Sequence, residues 1–219
     1  GRLYLRVMDY KSGKKSFSLS DIWYGLNMQL IIYLYALQWE GLDRYRQRIE
    51  AELNEIVPAG VLYVPVRDEL PDVPRDIDED ALRAMRDKAL RRSGLLSDDM
   101  ELLEAMEHGL EGDGRFIPVT IKTQKGEDEP TLAAKSAVAD LAKFGRLARY
   151  THEKLLEMGR ELRGGSVTAD PCKKDKNSSY CDWCEFRAAC RFDETAGDKA
   201  RWLRHLSDED FWQQVGGEQ

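Results

Sequence analysis

The alternation of residues at the start of the chain predicts a β-strand. The run from Leu3 to Val7 alternates and contains β-prone residues, and Asp9 and Lys11 follow it two positions apart. On one strand, two such side chains project from the same face. The pattern therefore points a carboxylate and an ammonium at one place.

A long apolar helix is predicted next, from about Leu19 or Ser20 to Gln38. Ser18 with Asp21 three residues later resembles a capping box at its start. The apolar positions are too widespread for one narrow stripe, so we expect burial on more than one side. Gln29 and Tyr33 are four residues apart, which makes them neighbours on one face.

The later patterns predict a few further strands and several helices. The predicted strands are Val61 to Val66 and Phe116 to Ile121; the predicted helices are Asp78 to Arg92, Ser97 to His108, Leu132 or Ser136 to Arg163, and Lys199 to Gln214. The stretch from Leu42 to Asn54 is weakly helical and can also hold part of a strand. The expected fold class is α/β, with a mixed central sheet flanked by helices.

Three segments follow from this order of elements. We expect a core over residues 1–166, with a helical insert around 78–110, a cysteine-rich segment over 167–195, and a C-terminal helix over 196–219. The chain begins with Gly1-Arg2 and leads directly into the first strand pattern, so we expect it to be part of something longer.

Composition narrows the classes of function. The 219 residues are 42% apolar and 33% charged, with a formal net charge of −7, which argues against nucleic-acid binding by the whole surface. No apolar run is long enough to cross a bilayer and no secretory signal is visible, so we expect a cytoplasmic protein with no membrane partner. Local basic patches remain, each with a solvated surface as the alternative: Lys14-Lys15, Arg44/Arg46/Arg48, Arg91-Arg92 and Lys173-Lys174-Lys176.

The pair Asp9 and Lys11 has the chemistry of a nuclease site. A carboxylate can bind a divalent cation beside a phosphate, while a lysine steadies negative charge or positions water. The alternative is a solvated ion pair of little energetic consequence.

All four cysteines lie within a short stretch, which favours metal over disulfides in a chain with no export signal. Cys181 and Cys184 form a Cys-X-X-Cys turn, and Cys190 can supply a third ligand if the residues between make a helical turn; eight residues separate Cys172 from Cys181. Zinc, an iron–sulfur cluster and two disulfides all remain open as interpretations of the spacing.

Taken together, these elements resemble the RecB-like branch of the PD-(D/E)XK nucleases, in the form of the C-terminal nuclease domains of AddB-type subunits of bacterial helicase–nucleases. Asp9-Tyr10-Lys11 is similar to the D-X-K element of the branch, and Tyr24, Gln29 and Tyr33 to its Q-X-X-X-Y element. The trio formed by Cys181, Cys184 and Cys190 is similar to three of its iron–sulfur ligands.

The resemblance implies a restriction-endonuclease-like core, truncated at its N-terminus, and a metal-dependent DNA exonuclease that processes double-strand breaks for recombination repair. It implies that Asp9 and the Tyr10 carbonyl bind Mg²⁺ and that Lys11 orients or activates water. It also implies that Gln29 either holds the β-strand that carries Asp9 and Lys11 or contacts the DNA backbone, with Tyr33 behind it. It also implies a structural 4Fe-4S cluster, DNA as substrate, and an AddA-like helicase–nuclease subunit as partner.

Two parts of the family pattern are missing. The first acidic motif of the family lies upstream of the D-X-K strand, and so does the first cluster cysteine; Cys172 is a possible fourth ligand in its place. We therefore expect little or no nuclease activity from this chain alone. The alternative function is a non-catalytic DNA-binding or scaffolding module held by a zinc or iron–sulfur knot.

Overall fold

The computed structural model describes residues 1–49, 52–66, 72–122, 130–176 and 179–217. The chain forms two compact units. The first comprises residues 1–18 and 27–151, and the second comprises residues 19–26 and 152–219. The division predicted at residue 166 stays a prediction.

The first unit is built on a mixed sheet. Its strands are β1 (Arg2–Lys11), β2 (Glu55–Pro65), β3 (Ser93–Ser97) and β6 (Val138–Ala139), with β4 (Ile121–Lys122) and β5 (Thr131–Leu132) forming a separate pair. The order in the main sheet is β1-β2-β3-β6. The β1/β2 and β3/β6 pairs are parallel, whereas β2/β3 is antiparallel.

Helices accompany this sheet, which confirms the predicted α/β class. The α-helices of the described residues are α1 (Leu19–Trp23), α2 (Gln29–Glu40), α3 (Leu42–Arg46), α4 (Glu79–Leu90), α5 (Met100–Met106), α6 (Leu141–Arg163), α7 (Arg187–Cys190) and α8 (Asp208–Gly216). The helix α2 packs on β1 and β2. It buries Leu30, Ile31, Leu34 and Tyr35, so apolar burial holds it across the first two strands.

Another apolar cluster of the first unit includes Leu62 of β2. The fully buried side chains there include Leu62, Leu96, Leu103, Ile117 and Val119. They bring together β2, β3, α5 and the segment before β4, which closes one side of the sheet.

The predicted strand Phe116 to Ile121 is wrong for most of its length, because only Ile121 continues into a strand. Ile117 and Val119 are nevertheless fully buried. The Glu107 carboxylate accepts hydrogen bonds from the backbone N–H groups of residues 115–117. A side chain therefore satisfies the backbone groups that a neighbouring strand would otherwise satisfy.

The single helix predicted from residue 19 to Gln38 is also wrong, because the structure divides it into α1 and α2. Gly25 has φ +75°. The Leu26 N–H donates to the Asp21 carbonyl and the Gly25 N–H to the Ile22 carbonyl, which is the Schellman pattern that ends a helix at a left-handed glycine. Gly25 was the signal in the sequence that indicated this end.

Other elements are shorter than the patterns suggested or differ in type. The helix α5 begins at Met100 with Asp99 as its N-cap, because Ser93–Ser97 forms β3 between β2 and β6. Similarly, α6 begins only at Leu141 and α8 only at Asp208. The stretch after Leu42 is helical as far as Arg46, and the strand begins at Glu55.

The second unit joins α1 and the residues of α6 from His152 onward to the C-terminal segment. Short strands β7 (Cys172–Lys173) and β8 (Arg201–Trp202) pair in parallel. Phe211 of α8 is fully buried and its ring packs edge-on against Trp23 of α1. In the described parts of the chain, no helix has the length and apolar character needed to cross a membrane.

Candidate active site

Asp9 and Lys11 lie at the end of β1 and contact each other. The Lys11 Nζ atom is 2.6 Å from Asp9 Oδ2. The sequence prediction that these two side chains share one face is confirmed by this contact. The close carboxylate raises the pKa of the Lys11 ammonium above its ordinary value, so the lysine stays charged at neutral pH.

Asp9 Oδ2 is shielded from solvent, and within the described residues no donor is aligned on it as a proper hydrogen bond. The contact with Lys11 is a close ion pair. A buried carboxylate oxygen without an aligned donor retains lone pairs for a cation.

The backbone beside this pair lies at the edge of the described sheet, because β1 is an outer strand. The Lys11 carbonyl accepts from the Val66 N–H on the β2 side. Since successive carbonyls alternate along a strand, the Tyr10 carbonyl is directed to the other side, away from β2.

Gln29 and Tyr33 are neighbours on α2, as their spacing predicted. Gln29 Nε2 donates to the Tyr33 hydroxyl at 3.1 Å, and both side chains are exposed. Tyr33 is also near enough to Lys11 to contribute to the raised pKa of the Lys11 ammonium. Tyr24, which shares the motif in the sequence, belongs to the second unit, where its hydroxyl donates to the Arg204 carbonyl.

Tyr63 lies beside the Asp9–Lys11 pair, and it links the pair to Lys15 and, through Lys15, to Asn27. Tyr63 lies opposite Asp9 in the β1/β2 pairing. The ammonium groups of Lys11 and Lys15 lie 5.7 Å and 5.8 Å from the centroid of its ring. Lys15 Nζ also donates to Asn27 Oδ1 at 2.6 Å. The sequence indicates Lys15 only as part of a basic patch and does not indicate Asn27 or Tyr63, because their roles depend on contacts between elements.

The residues near Asp9 supply few acidic ligands. Across the described ranges, no three His, Cys, Asp or Glu side chains come together as a metal-binding group. Mg²⁺ in phosphate chemistry keeps several waters and uses one or two carboxylates together with substrate phosphates. One half-buried carboxylate with an outward carbonyl beside it therefore fits one side of a Mg²⁺ site.

The four cysteines are free thiols in the structure, so the two disulfides considered from the sequence are not formed. The Cys184 N–H donates to the Cys181 carbonyl at 3.3 Å, and α7 supplies the expected helical turn before Cys190. In the described residues, no three of the cysteine side chains lie close enough together to bind one metal. They therefore do not form a closed metal site in this structure. Cys184 and Cys190 are exposed.

Much of the basic side-chain charge named from the sequence is used in internal contacts. Arg91 donates to the Ile117 and Val119 carbonyls. Lys173 pairs with Glu194, and Lys174 with Asp21 at 2.5 Å. These side chains stabilise the fold locally. Lys15 of the Lys14-Lys15 patch instead approaches the Tyr63 ring, opposite Asp9.

Comparison with known families assigns the class of protein. Residues 1–191 match the family model of the PD-(D/E)XK nuclease superfamily. The chain therefore belongs to that superfamily.

The most similar relatives include proteins named as B-type subunits of an ATP-dependent helicase/deoxyribonuclease. The protein of this name from Ruminiclostridium cellulolyticum is 36% identical over 210 residues, which are 95% of this chain and 17% of that protein. Those from Clostridium perfringens (strain 13 / Type A) and Acetivibrio thermocellus are 31% and 33% identical over 223 and 217 residues, covering 100% and 99% of this chain and 18% of each relative. The chain thus spans less than a fifth of the length of the relatives it matches.

Proposed function

We propose that this chain is the nuclease domain of a helicase–nuclease subunit, and that it hydrolyses phosphodiester bonds of DNA as an exonuclease in double-strand break processing and recombination repair. The observation that carries the proposal is the Asp9–Lys11 pair at the end of the outer strand β1. Superfamily membership supports a nuclease, and the names of the relatives support DNA as substrate and a partner subunit. We propose an AddA-like helicase–nuclease subunit as that partner.

Asp9 Oδ2 and the Tyr10 backbone carbonyl are the groups that would hold Mg²⁺. The shielded carboxylate oxygen and the outward direction of the carbonyl support this assignment. When bound, Mg²⁺ would polarise the scissile phosphoryl group and lower the pKa of a coordinated water.

Lys11 contributes a fixed positive charge. Placed beside the Asp9 carboxylate, it would stabilise negative charge on the phosphate and orient or activate the attacking water. Gln29 and Tyr33 present a hydrogen-bonded pair on the exposed face of α2. We assign them to positioning the DNA backbone next to the strand that carries Asp9.

We also propose that the chain alone has little or no nuclease activity. Among the described residues, Asp9 is not part of a group of three metal-binding side chains. A site with so few carboxylates binds Mg²⁺ weakly until further ligands are added. The additional acidic ligand would come from another part of the subunit, which the relatives have in the remaining four fifths of their length.

The test measures Mg²⁺-dependent DNA digestion by the full-length subunit together with a partner subunit whose own nuclease site has been inactivated. Asp9→Asn and Lys11→Ala should each reduce digestion by a factor of about 100 or more, while Asp98→Asn, which neutralises an exposed aspartate elsewhere in the first unit, should leave it unchanged. Digestion that is insensitive to Asp9→Asn would favour the alternative, a non-catalytic DNA-binding or scaffolding module.

For the cysteine segment we propose a 4Fe-4S cluster with Cys181, Cys184 and Cys190 as ligands and Cys172 as a possible fourth. The turn between Cys181 and Cys184 and the helical turn before Cys190 support it, and binding of the cluster would draw the thiols together, since metal binding and folding are coupled. Visible absorption with iron and sulfide analysis of anaerobically purified full-length subunit tests this. Stoichiometric zinc without iron would show a zinc site instead of the cluster. In either case, Cys190→Ala should cause loss of the bound metal.

A further inference from the structure

Lys15 differs from other lysines in the structure in the kind of partner it has. Lys11, Lys135, Lys154, Lys173 and Lys174 each contact a carboxylate. Within the described residues Lys15 forms no ion pair, and its contacts are the Asn27 side-chain amide and the Tyr63 ring. Both partners are neutral, so they orient the ammonium without cancelling its charge.

The groups that hold Lys15 are themselves constrained. Asn27 has φ +54°, a left-handed conformation that asparagine tolerates better than most residues but that still costs conformational energy. Tyr63 is only 2% exposed and is fixed in β2. A half-buried lysine between two such partners has lost much of the freedom of an ordinary surface lysine.

The position of Lys15 relates it to the Asp9–Lys11 pair, because its ammonium and that of Lys11 approach the same ring. The charge of Lys11 is compensated by Asp9, whereas that of Lys15 is not. An ammonium carries three donors, and the one bond to Asn27 leaves others for an anion. A phosphate oxygen is the anion that DNA brings to this place.

We propose that Lys15 is a second phosphate-binding residue of the nuclease site, held by Asn27 and Tyr63, and that it binds a DNA phosphate next to the one under attack. This inference rests on the proposed function, since it takes a DNA strand to lie at Asp9. Its role is to position the strand, and it does not take part in bond cleavage.

The test measures equilibrium binding of a short fluorescein-labelled single-stranded oligonucleotide to the 219-residue chain in EDTA. Binding is monitored by fluorescence anisotropy at several salt concentrations. Lys15→Ala should weaken binding about fivefold to tenfold and lower the slope of log affinity against log salt by about 0.7, the value for one lost phosphate contact on a single strand. Lys14→Ala is the matched control, because it removes the same charge from the adjacent exposed position; it should change affinity less than about twofold.

Two more variants test whether the position of the Lys15 cation matters or only the net charge of the chain. Lys15→Arg keeps the charge and should recover most of the affinity. Asn27→Asp keeps the shape of the side chain but gives Lys15 a charged partner, so it should weaken binding about as much as Lys15→Ala does. Thermal unfolding of each variant confirms that it is folded, and Lys15→Arg and Asn27→Asp carry the test if Lys15→Ala does not fold.

Equal effects of Lys14→Ala and Lys15→Ala, no effect of Lys15→Ala, or no binding by the unmodified chain would each overturn the inference. The failure of the proposed function has a different signature, because it is measured by digestion with Asp9→Asn. A chain whose oligonucleotide binding depends on Lys15 while digestion does not depend on Asp9 would keep this inference and lose the nuclease assignment. The reverse pattern would keep the nuclease and lose the role of Lys15.

Discussion

Asp9 on β1 lies directly opposite Tyr63 on β2 in a parallel pairing. Residues opposite each other in a sheet project to the same face, so the Tyr63 ring lies beside the two lysines. The pairing depends on a shift of register, since Leu5 opposes Pro58 while Arg6 opposes Gly60. If the pairing of Leu5 with Pro58 continued without the shift, Asp9 would oppose Leu62, whose side chain belongs to the apolar cluster on the other side.

Gly60→Ala is expected to destabilise the first unit and weaken oligonucleotide binding. Gly60 has φ +141°, and an added Cβ would lie 2.5 Å from the Leu95 carbonyl oxygen. The strain and the overlap together should lower the free energy of unfolding by about 2 kcal/mol or more, as measured by denaturant titration. The control Gly145→Ala enters open space on a helix and should be neutral or stabilising by up to about 1 kcal/mol. Equal stability of the two variants would contradict the strain at the register shift.

Glu107→Ala should destabilise the segment that carries Ile117. The Glu107 carboxylate accepts from the N–H groups of Arg115, Phe116 and Ile117 at 2.6, 2.9 and 3.0 Å. Removing the acceptor leaves these donors without it, at a cost of about 1–3 kcal/mol in the free energy of unfolding. Glu111→Ala removes the same charge from an exposed position and serves as control. An equal small loss for both variants would show that the three hydrogen bonds contribute nothing beyond charge.

Glu104 should make stability depend on pH in the acid range. The Gly109 and Leu110 N–H groups donate to its carboxylate at 2.7 and 3.2 Å, and His108 lies beside it. These contacts lower the pKa of Glu104 below its ordinary value of 4.5. A lowered folded-state pKa adds stability that is fully present above pH 4.5 and is lost as the pH falls below it through the folded-state pKa. Denaturant titration at several pH values gives the difference in the free energy of unfolding between the unmodified chain and Glu104→Gln. This difference should become smaller as the pH falls below 4.5. A difference that does not change with pH would contradict the assignment.

Lys174→Ala should loosen the C-terminal segment of the second unit. Lys174 pairs at 2.5 Å with Asp21, whose side chain is only 13% exposed, so the variant leaves a shielded carboxylate without this cation. Because Lys174 itself is 39% exposed, solvent screens part of the loss and we expect about 1 kcal/mol. Amide hydrogen exchange in β7 and β8 should become faster, whereas Lys176→Ala, at an exposed neighbouring position, should not change it. Unchanged exchange in Lys174→Ala would show that the ion pair does not hold these strands.

The sequence alone determined what depends on spacing within one element. The alternation of the first strand placed Asp9 and Lys11 on one face, and the interval of four placed Gln29 beside Tyr33; the structure confirms both contacts. The order of strands and helices was sufficient for the mixed α/β class. These features follow from the fixed periods of strands and helices, so they need no knowledge of distant partners.

The tertiary structure alone decided what depends on residues far apart in the chain. The register shift at Gly60, the buried irregular segment held by Glu107, and the Asn27 and Tyr63 contacts of Lys15 join separate elements. No local period encodes such contacts, because packing selects them from many partners of similar chemistry. The sequence therefore identified the pair at the centre of the candidate site, and packing supplied the residues that surround it.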